Sequence, residues 1–482
     1  MLRSTMSWWL SLGLAALVVV PAWAGSELCA LARFESDEAE QAYVEQLRAE
    51  GPTGLQKAFQ RLARLQVIAA ELETKMAADE KYKVAARDSH ETATEGCRRI
   101  SDVIDRIAGQ RDATASRLYW YTDFEQAKRA AAESGQPILS LRMLGKLTDE
   151  FSCANSRFFR TALYANKEIS DYLRDNFVLH WQSVRPVPRV TVDFGDGRTL
   201  ERTITGNSAH YVLDAHGRPV DVLPGLYGPQ AFRAWLVRTK EFADRLAPIS
   251  SDVGRERLMS EFHTHRRLVI EDSLRADLAA VAPKLLDDAS LAPSDEAVVA
   301  LPSDGHPTAL KAGARAVSKY VVEVALVAPF APNGEVLNAQ NENFWRAVAD
   351  RHLGVAVLDE SSRSLVSRDL PQSTAAPKVA TAVDAGQKSI SKGRIEDPLL
   401  RMVMNFQQSM ALDTVKNEYT LHRQIHDWFA AGQTSGDVDA LNERVYAELF
   451  LTPSSDPWLG LAPGNVYTAL DRGGLTETQA AK

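Results

Sequence analysis

The chain has 482 residues, with 63 acidic against 55 basic side chains and a formal charge of −8. At 45% apolar and 8% aromatic residues it has the composition of ordinary globular protein, long enough for two or three domains and unlike a collagenous or wholly disordered chain. The mild acidity and the lack of any long Lys/Arg run exclude a general nucleic-acid binder, because phosphate contacts need a clustered basic surface.

Arg3 precedes an apolar run from Trp8 to Val20, followed by Pro21-Ala22-Trp23-Ala24-Gly25 with small residues where a signal peptidase reads. This predicts a secretory signal peptide over 1–24, cleaved after Ala24. An uncleaved anchor is the alternative, but an apolar core of about 13 residues is short for spanning hydrocarbon. No later segment reaches membrane length, so the mature chain is expected to be exported, periplasmic or extracellular, with no stable membrane span. Glu27-Leu28 before Cys29 lacks the small residues of a lipid-attachment site. Export would place Cys29, Cys97 and Cys153 in an oxidising compartment, where one disulfide leaves one sulfur over. Cys29 with Cys97 is the preferred pairing, since both lie in one helical segment and Cys153 then stays free; the other two pairings remain open.

Residues 25–116 read as a helical segment, with apolar residues at three- and four-residue spacing over Ala39–Ala49 and Gly54–Lys75. Gly51-Pro52-Thr53-Gly54 separates these helices, and a third runs from Asp79 to Ile107. From 117 to 247 the periodicity changes repeatedly, as in an α/β module. A helix over Asp123–Ser134 stops at Gly135, and Pro137–Leu144 reads as a strand. Cys153 opens the next helix, Asn166–Asn176 continues as helix, and Phe177–Trp181 is a strand. Arg189–Ile204 reads as a hairpin turning at Gly195-Asp196-Gly197, where Asp-Gly supplies positive φ and needs no calcium to explain it. Strands over His210–Asp214 and Val220–Leu223 and a helix over Pro229–Leu246 complete the module. The Tyr119-Trp120-Tyr121 run reads as packing.

These residues resemble the thioredoxin-like superfamily. The matching pieces are Gly135-Gln136-Pro137-Ile138-Leu139, the helix-start cysteine, Asp175-Asn176-Phe177-Val178, His210–Asp214 with its turn, and Leu223-Pro224-Gly225 leading into Pro229-Gln230-Ala231-Phe232. The resemblance covers roughly a quarter of the chain, and it implies a central mixed sheet flanked by helices with the cysteine at the exposed end of the sheet. The fold class expected is therefore an α/β thioredoxin-like domain between an N-terminal helical segment and a mostly α-helical C-terminal region. Two departures matter. The family's CxxC stands here as Cys153-Ala154-Asn155-Ser156, and its cis-proline position falls on Ser208. A cis peptide before serine would cost about 2.5 to 4 kcal/mol, so another loop conformation is expected around Ser208, the substrate-binding position.

A helix start stabilises an anion through its free N–H groups and macrodipole, which favours a cysteine thiolate. The Ser156 hydroxyl, one turn on, is placed to donate to that sulfur. Cys153 and Ser156 are thus the candidate catalytic pair of a monothiol oxidoreductase or isomerase acting on protein thiols or disulfides, with release by a second thiol from outside. Two alternatives stay open. Cys153 reads equally as a small buried hydrophobe or a structural half-cystine, and the chain as a catalytically inactive scaffold that binds a protein partner through its helical regions.

The remainder, 248–363 and 389–482 about a Ser/Ala/Pro-rich linker at 364–388, is predicted mostly helical. Its runs are Val253–Leu278, Ala309–Ala328, Glu342–His352, Glu396–Thr414, Glu418–Phe429 and Val438–Leu451. A short echo between residues 318–326 and 391–399 could mark two duplicated helical units, with chance similarity of helix-forming stretches the favoured explanation. Glu418, His422 and His426 share a helix face, and two imidazoles with a carboxylate can hold zinc, but Arg423 stands where an HExxH protease has its glutamate. The expectation is a polar face in which a histidine meets Glu418 or Asp427, with no metal and no cofactor. His263 and His265, two apart, share no face and carry less weight still.

Overall fold

The computed structural model describes residues 22–78, 80–203, 206–281, 339–368 and 391–455. Residues 1–21 of the signal segment, the helix expected over 309–328, the first half of the echo and the linker beyond 368 lie outside the described residues. Two units make up the chain, 1–104 and 105–482.

In the first unit lie α1 (Ala22–Ala32), α2 (Asp37–Ala49), α3 (Pro52–Ala78) and most of α4 (Glu80–Ala108). Ser36 caps α2, its side chain accepting from the Ala39 N–H at 3.2 Å, and the apolar stripe predicted from spacing is buried at Val44, Leu47, Leu55, Ala58, Leu62 and Leu65. The expected Cys29–Cys97 bridge is not formed. Cys29 is exposed, Cys97 half-buried, and both are free thiols. The close approach of α1 to α4 runs instead through Ala32 and Gly96, where a Cβ added to the glycine would lie 2.5 Å from the Ala32 Cβ.

The second unit is mixed α/β. Its sheet has four strands, β1 (Ile138–Leu144), β2 (Val178–Arg185), β5 (Ser208–Leu213) and β6 (Pro219–Pro224), in the order β2-β1-β5-β6. β1 runs parallel to β2 and antiparallel to β5, which is antiparallel to β6. Between β2 and β5 the chain makes a separate hairpin, β3 (Arg189–Asp193) with β4 (Thr199–Thr203). Every residue of β1, β5 and β6 is buried, which explains their near-continuous apolar sequences. β2 runs past its predicted end at Trp181 because Leu144 pairs with Arg185.

After a short α5 (Ala113–Ser116), the helices around the sheet are α6 (Phe124–Ser134), α7 (Ala154–Phe158), α8 (Lys167–Asn176) and α9 (Pro229–Leu246). A π-helical turn, Phe159–Leu163, continues α7. Asp123 caps α6 by accepting from the Gln126 N–H at 2.7 Å, and Gly135 ends it at φ +71°. The C-terminal helices are α10 (Asp252–Val281), α11 (Ala339–Arg351), α12 (Glu360–Arg368), α13 (Ser391–Lys416), α14 (Arg423–Ala430) and α15 (Val438–Arg444). π-helical segments follow α13 at Asn417–His422 and α15 at Val445–Leu449. α12 ends inside the segment read as linker. These helices share one apolar core with the sheet, which joins Leu421, Ile425 and Tyr446 to Tyr211, Leu223 and Trp235. No described helix is long and apolar enough to cross a membrane.

Candidate functional site

Cys153 is the residue before α7, and its N–H donates to the Leu144 carbonyl at the end of β1. That tie hangs the sulfur from the C-terminal end of the central strand. The resemblance implies an exposed sheet end, with a small buried hydrophobe as the alternative; Cys153 is 0% exposed. Its thiol donates to Ser156 Oγ at 3.4 Å, while the Ser156 hydroxyl donates to the Cys153 carbonyl at 2.8 Å. The expected direction is therefore reversed, because the serine proton is already engaged by backbone. Burial, with a smaller contribution from the nearby Cys153 sulfur, pushes the phenols of Tyr164 and Tyr446 well up.

What covers this edge comes from the far end of the chain. Tyr446 donates its hydroxyl to the Asn207 carbonyl at 3.0 Å, and the Asn207 amide donates to Thr452 Oγ1 at 2.7 Å. Tyr211 donates to Asn442 at 3.0 Å, and Arg185 to the Thr452 carbonyl at 2.6 Å. Arg142, buried in β1, meets Asp439 at 2.7 Å and Gln182 at 2.6 Å. Ser208, the predicted substrate position, starts β5 opposite Met143 and is itself fully buried. Residues 438–452 thus close the edge that Cys153 and Ser208 would present.

A second group of functional side chains gathers on the β6 side. Asp221 projects from β6; its Oδ1 accepts from the Val222 N–H at 2.8 Å and its Oδ2 from Trp235 Nε1 at 2.9 Å. His422 ends the Asn417–His422 π segment and His426 lies in α14. Both are 0% exposed, and Asp221 is 1% exposed. One ligand atom from each of these three residues lies within 4.8 Å of the others. The π segment comes this close because Gly225, at φ +90°, has no side chain. A Cβ there would lie 2.5 Å from the Asn417 amide nitrogen, which donates to the Leu226 carbonyl at 2.9 Å.

Hydrogen bonds fix the tautomers. His263 Nε2 lies 3.0 Å from the Val220 carbonyl, which can only accept, so Nε2 carries a proton. Burial lowers His263 to about 4, leaving its Nδ1 bare to accept from His426 Nδ1 at 2.7 Å. Burial also holds His426 neutral, well below the usual imidazole range. Its Nε2 is then an unprotonated lone pair with no hydrogen-bond partner among the described residues. His422 Nδ1 donates to Glu418 Oε2 at 2.8 Å, as the i,i+4 spacing implies, which turns Nε2 toward Asp221 Oδ1 at 3.5 Å. Burial opposes charge on His422, but the carboxylates of Glu418 and Asp221 outweigh it and raise the ring to about 9. Burial likewise works against ionised Asp221, and His422 overrides it and depresses the carboxyl. A cavity of 220 Å³, lined in part by Tyr227, Arg238, Arg266 and Glu418, borders the group.

The chain thus builds a mixed α/β unit with two buried polar centres. No family model matches the sequence, and no curated protein and no solved structure matches the chain.

Sequence reasoning finds Glu418, His422 and His426, gives His263 little weight and misses Asp221. The available signal for Asp221 is an acid in the middle of an otherwise apolar strand, Val220-Asp221-Val222-Leu223. His263 is weighed only against His265, because its actual partner lies 163 residues away. The structure does not bring the predicted sulfur pair to the histidines' chemistry; Cys153 and Ser156 belong to the other centre.

Proposed function

We propose that this chain is an exported, thioredoxin-like scaffold whose thiol edge is occupied by its own C-terminal helices, and that it acts by binding a protein partner rather than by disulfide exchange. The thioredoxin-like reading draws support from a parallel β1–helix–β2 pair, a following antiparallel β5–β6 pair and a cysteine at the first helix start after β1. The observation that carries the functional half is the complete burial of Cys153. A thiol that no substrate sulfur can reach cannot enter a mixed disulfide, whatever its placement.

Monothiol exchange through Cys153 is the second reading, favoured by the Cys153–Ser156 pair at the helix start. It would require residues 438–452 to leave the edge. Thiol labelling separates the two. In a Cys29→Ser, Cys97→Ser background the native chain should leave Cys153 unlabelled by a maleimide until denaturant unfolds it. Rapid native labelling, or a mixed disulfide trapped with a glutathione-type disulfide, would replace the scaffold reading with exchange.

A further inference from the structure

We propose that Asp221, His422 and His426 bind one divalent transition-metal ion of the zinc type. Two imidazole nitrogens and one carboxylate oxygen form a donor set suited to zinc and related first-row divalent ions, and three protein ligands leave a further position for water or a substrate atom. Their ligand atoms already lie within 4.8 Å of one another, so a central ion needs small side-chain adjustments only.

The second observation is how each ligand is held. His422 gives its Nδ1 proton to Glu418, and His426 gives its own to His263, which is anchored on the Val220 carbonyl. Both Nδ1 positions are thereby used and both Nε2 atoms turn inward. Carboxylate or imidazole partners of this kind orient a histidine for a metal and raise its basicity. The His426 Nε2 lone pair is fully buried and unpartnered among the described residues. A buried acceptor in that state is costly unless something occupies it. Asp221 is oriented in the same way, by Trp235 and the Val222 N–H, with Thr239 Oγ1 3.4 Å from its Oδ2. Binding would displace the proton on His422 Nε2, released to solvent, since Nδ1 stays engaged by Glu418; the carboxylates of Asp221 and Glu418 then together match the dication. Arg266 lies 3.7 Å from Glu418, and both line the bordering cavity.

The test uses the full chain, stripped with a chelator and dialysed against Zn²⁺ or Co²⁺. One zinc per chain is expected, together with the strong visible absorption of low-coordinate cobalt. Asp221→Asn and His426→Gln should each weaken zinc binding by at least about 100-fold, and Glu418→Gln by about 10- to 100-fold, as for a residue that orients a ligand. His265→Asn, on the exposed face of α10, should change nothing. Wild-type protein that takes up no stoichiometric zinc overturns the proposal, leaving an ion-pair cluster only. So do folded Asp221→Asn and His426→Gln variants that keep wild-type affinity. Should both variants unfold, the wild-type chain decides: a cobalt spectrum no different from the aqueous ion, with no zinc-dependent rise in Tm, also overturns it.

Discussion

Around Cys153 the buried groups are mostly neutral and several stand alone, whereas around Asp221 charged groups face each other and are held from behind. Ser152 Oγ, both amide atoms of Asn155 and Ser208 Oγ have no hydrogen-bond partner among the described residues. At the other centre Asp221, Glu418, His422, His426 and His263 make a continuous chain of contacts across four elements. Burial is equally complete at both, so burial alone does not make a site. What distinguishes them is orientation: the sulfur edge is closed by segments that fit over it, and the histidine centre is aimed inward by Glu418, His263, Trp235 and the Val222 N–H.

The sharpest way to break this contrast is Asp221→Ala, which leaves the His422 imidazolium and the Trp235 N–H facing an apolar gap. A loss of about 3 to 5 kcal/mol in urea-denaturation stability is expected, the cost of stripping one partner from a buried charge pair. A loss no greater than that of an ordinary surface substitution would mean the centre is not a charged network. The next effect belongs to the sulfur side. His210 is fully buried, 2.7 Å from the Tyr164 hydroxyl, and burial lowers it to about 3. The unfolded chain takes up a proton at about 6.5, and the native state takes it up only near the lower value. Stability from this ring is full above about pH 6.5 and falls by about 1.4 kcal/mol per unit as the pH drops toward the folded value. His210→Gln should therefore flatten the acid limb of a stability–pH curve by about that slope; an unchanged slope would deny the ring its neutral, buried state.

Smaller effects sharpen the account of the cover. Tyr446→Phe removes the hydroxyl from the Asn207 carbonyl and should cost about 1 to 2 kcal/mol. Faster maleimide labelling of Cys153 should accompany it, and a stability loss without faster labelling would separate that hydrogen bond from closure of the edge. The least is asked of Cys153 itself: Cys153→Ala should cost about 1 kcal/mol, as an ordinary core truncation. A cost approaching that of Asp221→Ala would erase the distinction between the two centres.

Local pattern carried the elements well. The β1 run, the Gly195-Asp196-Gly197 turn of the β3–β4 hairpin and the α9 start at Pro229 all follow from periodicity and turn chemistry, which act over a few residues. Contacts between distant segments were not legible. The sequence leaves Cys153 open between an exposed and a buried thiol because its cover is contributed from the other end of the unit, and Asp221 reads as one residue of a strand because its histidines lie on a separate helix. The π segment at Asn417–His422 was also invisible, since Glu418, His422 and His426 share a face on α-helical counting. The Cys29–Cys97 pairing failed for a related reason: sequence can place two cysteines in one helical unit, but not the Ala32–Gly96 approach that sets how α1 meets α4.

Arg142 and Asp439 meet across 297 positions of sequence. A contact of that span is among the last that a growing chain can make, because loop closure must wait for both ends to exist. The β1 edge can therefore close only once residues 438–452 have been made, and until then Cys153 lacks the cover they supply. A molecule cut short before residue 438 would leave this sulfur uncovered, so that an accessible Cys153 would report an edge that has not closed.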